Sequence, residues 1–238
     1  MSEQPPSLLI ATRNENKKRE FAKIFDRVFP EHWQIVDVSQ FPDLDDVVED
    51  ADTFEGNAIK KALETSLLTD MSTMSEDSGL MVDALDGAPG VYSARFAGAH
   101  GDTKANNALL VERLRQTRSE DYSARFVATL CLALCPDELG LYILKQLGHS
   151  WQTLMSGFPM REGEVRCHEN RAIFWLRGEL EGQIVETPRG VYGFGYDPHF
   201  EVPELGLTLA QMAPQDKSKI SHRARALDKL ARVLKGGL

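Results

Sequence analysis

The chain has 238 residues, 42% of them hydrophobic, enough apolar material for a sizeable core and too much for a chiefly disordered state. Its 27 basic and 36 acidic residues leave a net charge of -9, which speaks against a general nucleic-acid binder, since that needs a basic face to release counterions. Three cysteines, without a Cys-x-x-Cys pair or a Cys/His zinc spacing, make no disulfide framework and suit a reduced, cytoplasmic setting.

The opening MSEQPPSLLIATRN has no basic region followed by a long apolar stretch, so no signal peptide is expected. SLLIAT reads as a short buried strand, and NENKKREFAKIFDRVF as a helix with Phe21, Ile24, Phe25 and Val28 on one face. WQIVDV is a second strand. DTFEGNAIKKALETSLL predicts a helix opened by an Asp52-to-Glu55 capping pattern, with Phe54, Ala58, Ala62 and Leu63 inward. DTKANNALLVERLRQ is another helix, SARFVATLCLALC a long strand, AIFWLRGELEGQIV a strand-like alternation, and LDKLARVL part of a closing helix. The longest apolar run, FVATLCLALC, is too short to span a bilayer as a helix, so no membrane partner is expected. Strands alternating with helices give the α/β class. Residues from about 140 to 170 show no clear period.

Two helices start with the wrong charge. The first takes Asn14 as N-cap and carries Lys17, Lys18 and Arg19 behind it; the last takes Ser221 and carries His222, Arg223 and Arg225. Cations at a helix N-terminus oppose the dipole by about 0.3–1 kcal/mol each. Either these side chains reach away into solvent, or both starts serve an anion such as a polyphosphate.

A polyphosphate in water travels with Mg²⁺, which needs carboxylates. Glu76, Asp77 and Asp83 in SEDSGLMVDALDG are candidates, because SEDSGL lies between apolar segments where charge is costly unless used. The acidic run Asp43 to Asp50 also qualifies, although a solvated loop explains most of it. In GAPGVYSARFAG, Arg95 is either structural or a substrate contact. RGVYGFGYDPHF interleaves Gly190, Gly193 and Gly195 with Tyr192, Phe194 and Tyr196, offering close backbone approach and a stacking face for a base, or simply a tight hairpin.

Four blocks taken together, LLIATRNENKKREF, DTFEGNAIKKA, SEDSGLMVDALDGAPGVYSARFAG and GFGYDPHF with DKSKISHRARAL, resemble the inosine triphosphate pyrophosphatases, from about Leu8 to Leu227. The resemblance implies one domain over residues 1–238, with two lobes around a long curved mixed β-sheet, flanking helices and an active cleft between the lobes. It implies Mg²⁺-dependent hydrolysis of ITP, dITP and XTP to the monophosphate and pyrophosphate, commonly by a homodimer. By motif, Asp77 matches the catalytic carboxylate and a metal ligand. Glu49 matches a metal-binding acid, with Glu55 and Glu76 as alternatives. Thr12, Asn14 and Lys17 match the phosphate loop, Ser78 a substrate contact, Phe194, Gly195, Tyr196 and Asp197 the base-binding segment, and Lys217, His222 and Arg223 the C-terminal contacts. Three features depart from the family: an expected insertion at about 140–170, Gln211 where glutamate is frequent, and Ala224 where glycine is usual. A Maf-like pyrophosphatase acting on dTTP, UTP or modified pyrimidine nucleotides, and a catalytically silent nucleotide-binding module, are the competing readings.

Overall fold

The computed structural model describes residues 5–15, 17–19, 21–22 and 33–235. The strands are β1 (Ser7–Ile10), β2 (Gln34–Asp37), β3 (Thr73–Val82), β4 (Ser123–Leu134), β5 (Val165–His168), β6 (Arg171–Ile184), β7 (Phe200–Val202) and β8 (Leu207–Thr208). Among the described residues they form one mixed sheet in the order β2-β1-β3-β4-β6-β7-β8, with β5 paired to β6. Helices flank it: α1, whose described residues are 15, 17–19, 21 and 22, then α2 (Phe54–Thr69), α3 (Thr103–Thr117), α4 (Glu138–Gln146), α5 (Pro214–Ile220) and α6 (His222–Leu234). Of the apolar face expected for α1, Phe21 is buried, while Ile24, Phe25 and Val28 lie outside the described residues. Among the described residues no helix is long and apolar enough to cross a membrane.

The chain divides into two compact units, one of Met1–Asp77, Thr129–Arg177 and Ala226–Leu238, the other of Ser78–Ala128 and Gly178–Arg225. In the first, β1 pairs in parallel with both β2 and β3, and its Leu8 and Leu9 are fully buried, as strands covered on both faces require. The small Ala58 and Ala62 let α2 pack on Cys131, Ala133, Ile173 and Trp175. The cap of α2 is shifted by one residue from expectation. Thr53, not Asp52, accepts from the Gly56 amide at 3.0 Å, which puts Glu55 at the second helical position, 3.8 Å from Arg177. Residues 140–170 hold short elements: the rest of α4, a single turn at Trp151–Thr153 and β5, which pairs antiparallel with β6.

The second unit packs Leu80, Val82, Leu110, Leu114, Phe126, Leu180 and Phe200 into a core. Asp102 caps α3 through the Ala105 amide at 3.0 Å. Ser221 caps α6 through the Ala224 amide at 3.1 Å, as its sequence signals. Just before it lies α5, opened by Pro214, whose missing N–H costs nothing at a helix start.

Candidate active site

In the first unit the chain leaves β1 and turns into α1. Thr12 Oγ1 accepts from the Asn14 amide at 3.2 Å, and Asn14 Oδ1 accepts from the Lys17 amide at 3.3 Å, so Asn14 caps the helix. Lys17 does not run out to solvent. Its ammonium lies 3.3 Å from Glu76 Oε1, and the Glu76 side chain is wholly buried. Lys18 pairs with Asp37 at 2.5 Å and Glu15 at 2.9 Å.

Successive side chains of a strand point to opposite faces. Ser75 and Asp77 both meet α2: Ser75 Oγ donates to the Ala58 carbonyl at 2.5 Å, and Asp77 Oδ2 accepts from Asn57 Nδ2 at 3.0 Å. Glu76, between them, turns the other way, toward Lys17. Lys61, one helical turn after Asn57, pairs with Glu49 and brings its ammonium to 3.5 Å from the Glu76 carbonyl oxygen.

Burial and the negative charge of Glu49 push the Asp77 carboxyl above its ordinary range, against the pull of Lys17, the Asn57 hydrogen bond and Lys61. A buried acid raised by the charge of a second carboxylate is a donor set that a hard divalent cation relieves, and Mg²⁺ takes one or two carboxylates beside substrate phosphates. Four other acids are engaged elsewhere. Glu55 faces Arg177, Asp50 pairs with Lys60 at 2.6 Å, and Asp46 with Arg13 at 2.7 Å. Asp83, in the second unit, is held by Arg125 at 2.8 Å and Ser123 at 3.0 Å.

The second unit carries the remaining candidates. Ser78 follows Asp77 in β3 and is partly exposed. The segment around Phe194 is tied together by Asp197, which is buried, accepts from the Phe194 amide at 2.8 Å and pairs with Lys217. The Lys217 ammonium sits 4.6 Å from the centre of the Phe194 ring, a cation–π contact. Gly193, at φ +79°, leaves room for the Asp197 carboxylate, into which any Cβ would run. Asn107 on α3 donates to the Gly195 carbonyl at 3.0 Å. The aromatics separate: Phe194 is 46% exposed, whereas Tyr196 is buried, with its hydroxyl donating to the Ser93 carbonyl at 2.8 Å. Gln211 Oε1 accepts from the Thr208 amide at 3.0 Å, closing a turn. His222 and Arg223 are both buried, so the solvated alternative fails for them; His222 stacks on Phe126 at 5.0 Å. Arg95 lies 5.2 Å from the centre of the Tyr92 ring.

Thr12, Asn14, Lys17, Glu49 and Asp77 thus belong to one polar network in the first unit, and Phe194, Gly195, Asp197 and Lys217 to another in the second. Sequence reasoning did not single out Asn57 and Lys61. Their signal was present: polar residues four apart on a helix share a face, and this face adjoins the buried alanines.

The model of the Ham1 family matches residues 8–147 and 153–233. The chain is 38% identical over 220 residues to a protein of Geobacter sulfurreducens called dITP/XTP pyrophosphatase, covering 92% of each chain. It is 39% identical over 223 residues to one of the same name from Geobacillus kaustophilus, covering 94% of this chain and 91% of the relative. Among solved structures, a HAM1 protein from Coxiella burnetii is 30% identical with a TM-score of 0.76, over 96% of this chain and 98% of the other. The Staphylococcus aureus Ham1 protein is 32% identical with a TM-score of 0.73, over 97% and 98%.

Proposed function

The chain belongs to the Ham1 family, and from that premise we propose that it hydrolyses the non-standard purine nucleotides dITP, ITP and XTP to the monophosphate and pyrophosphate. The observation that carries the chemistry is Asp77: a buried carboxyl, raised by burial and by Glu49, beside the ammonium groups of Lys17 and Lys61.

In this reading a water oxygen attacks the α-phosphorus and gives its proton to Asp77, while the bond from that phosphorus to the α–β bridging oxygen breaks and pyrophosphate leaves. Lys17 and Lys61 stabilise the charge that grows on the leaving group. Asp77 and Glu49 are the residues that hold Mg²⁺, which when bound neutralises phosphate charge. Thr12, Asn14 and Ser78 contact the phosphates, His222 and Arg223 the substrate, and Phe194 stacks on the purine, held by Asp197, Lys217, Gly195 and the buried Tyr196. The reading extends to a cytoplasmic homodimer. Three free thiols, Cys131, Cys135 and Cys167, suit a reducing compartment, and the exposed Leu68, Met155 and Phe158 of the first unit offer apolar surface to a second copy.

The test is pyrophosphate release from dITP, ITP, XTP, GTP, ATP, dTTP and UTP, with Mg²⁺ and with EDTA. Turnover of the first three, abolished by EDTA, is expected. Preferred turnover of dTTP or UTP would assign the chain to Maf-like chemistry instead, and binding without release would make it a sensor.

A further inference from the structure

Asn57 is 1% exposed and both ends of its side chain are used. Its Nδ2 donates to Asp77 Oδ2 at 3.0 Å, and its Oδ1 accepts from the Ala51 amide at 2.9 Å. The orientation of the amide is fixed by chemistry: a backbone N–H only donates and a carboxylate only accepts, so a flipped amide would lose both bonds. The backbone of Asn57 is itself anchored, its N–H bonding the Thr53 carbonyl at 3.1 Å in the first turn of α2. Ala51 lies two residues after Glu49, in the stretch that leads into that turn.

We propose that Asn57 is a positioning residue that holds Asp77 and the segment bearing Glu49 in one register, and so sets metal affinity and turnover without touching substrate. One amide links the strand that carries one acid to the loop that carries the other. Its donor end occupies Asp77 Oδ2 and so fixes where the other oxygen of that carboxylate points. No other side chain of this length offers an acceptor and a donor on opposite ends: leucine has neither, aspartate only acceptors, and serine does not span the distance. Partners that orient metal ligands are typically worth 10–100-fold in metal affinity or activity.

The proposal rests on the reading of Asp77 and Glu49 as metal ligands, and its test separates the two. Mn²⁺ binding is measured by calorimetry on the full chain without nucleotide, and kcat and KM are measured with dITP. The parent is measured first: if it neither binds Mn²⁺ nor releases pyrophosphate, the functional reading falls and takes this one with it. If the parent does both, Asn57→Ala is expected to weaken Mn²⁺ binding roughly tenfold and lower kcat about 100-fold, with KM within about threefold. Thr53→Ala loosens the same helix start by removing its cap but leaves the Asn57 contacts, so its Mn²⁺ affinity and kcat should match the parent's. Asn57→Asp keeps the acceptor for Ala51 but replaces the donor to Asp77 by a second carboxyl; in the folded protein it too should lose kcat about 100-fold at nearly constant KM. An unchanged kcat in a folded Asn57→Ala or Asn57→Asp, or an equal loss in Thr53→Ala, would overturn the proposal.

Discussion

Glu76 and Asp77 are neighbours in β3 but are held from opposite faces of the sheet, Glu76 by Lys17 at 3.3 Å and Asp77 by Asn57 at 3.0 Å. Adjacent carboxylates in a strand cannot both reach one ion through their side chains, because the pleat sends them apart. The pair therefore divides its labour. Glu76 neutralises a lysine at the start of α1, and Asp77 is the acid proposed for the chemistry.

The Lys17–Glu76 pair is largely out of water, so removing one partner leaves the other charge buried. Lys17→Met should cost roughly 3–5 kcal/mol of stability in denaturant unfolding. Adding Glu76→Gln to the same chain should restore most of that loss, because the buried charge is removed with it. Turnover of dITP should stay low in the double variant, since the cation proposed for the phosphates is still missing. Recovery of both together would confine Lys17 to a structural role.

Asp77→Asn should separate stability from activity. A carboxyl whose pKa is higher in the folded chain than in the unfolded one binds protons more readily when folded. Its stability contribution therefore falls as pH rises from the unfolded value, about 3.9, through the folded one. At neutral pH without metal, ionised Asp77 works against the fold. The asparagine still accepts from Asn57 but carries no charge, so its Tm in EDTA at pH 7 should exceed the parent's. The gap should close below about pH 4, where the parent's acid is protonated. Mg²⁺ should raise the Tm of the parent and not of the variant, and turnover should drop about 10²–10⁴-fold. A variant less stable than the parent at pH 7 would show that Asp77 is not held above its ordinary range.

Phe194 offers half its surface to solvent and carries Lys217 beside its ring. Base–aromatic stacking is worth about 1–3 kcal/mol, so Phe194→Ala should raise KM for dITP roughly 5- to 150-fold with little change in kcat. Inhibition by tripolyphosphate, which has no base, should not move. A loss shared equally by both would mean that the ring acts through the fold.

The sequence carries α2, α3, β4 and β6, each a run of periodic or continuous apolar pattern, and they lie where that pattern puts them; it hides the ten-residue β3, whose middle is the polar Ser75, Glu76, Asp77 and Ser78. It hides α5, since seven residues with none buried leave no apolar stripe. It also hides the short elements of 140–170, and it misplaces the α2 cap by one residue because Asp52 and Thr53 are both good caps. In the site, residue types are legible and directions are not. Phe194 and Tyr196 look alike as letters, and only the hydroxyl of Tyr196 on Ser93 marks it as core. Likewise Glu49 is the first choice by motif, with Glu55 and Glu76 as alternatives, and only the structure shows that Arg177 faces Glu55, Lys17 pairs with Glu76, and Lys61 pairs with Glu49, whose charge acts on Asp77.

Lys61 supplies the last prediction. Its ammonium lies on the Glu49 carboxylate and 3.5 Å from the Glu76 carbonyl, where it competes with any cation that approaches Glu49. Removing it should therefore help the metal and harm the reaction. A pair of this kind, partly open to solvent, is worth about 1 kcal/mol, so Lys61→Met should tighten Mn²⁺ binding to the nucleotide-free protein roughly fivefold. The same change removes one of the two ammonium groups proposed to stabilise pyrophosphate as it leaves, and kcat should fall about 100-fold. Opposite signs in the two measurements are the signature: a lysine that merely braces Glu49 would, when lost, weaken metal binding and turnover together.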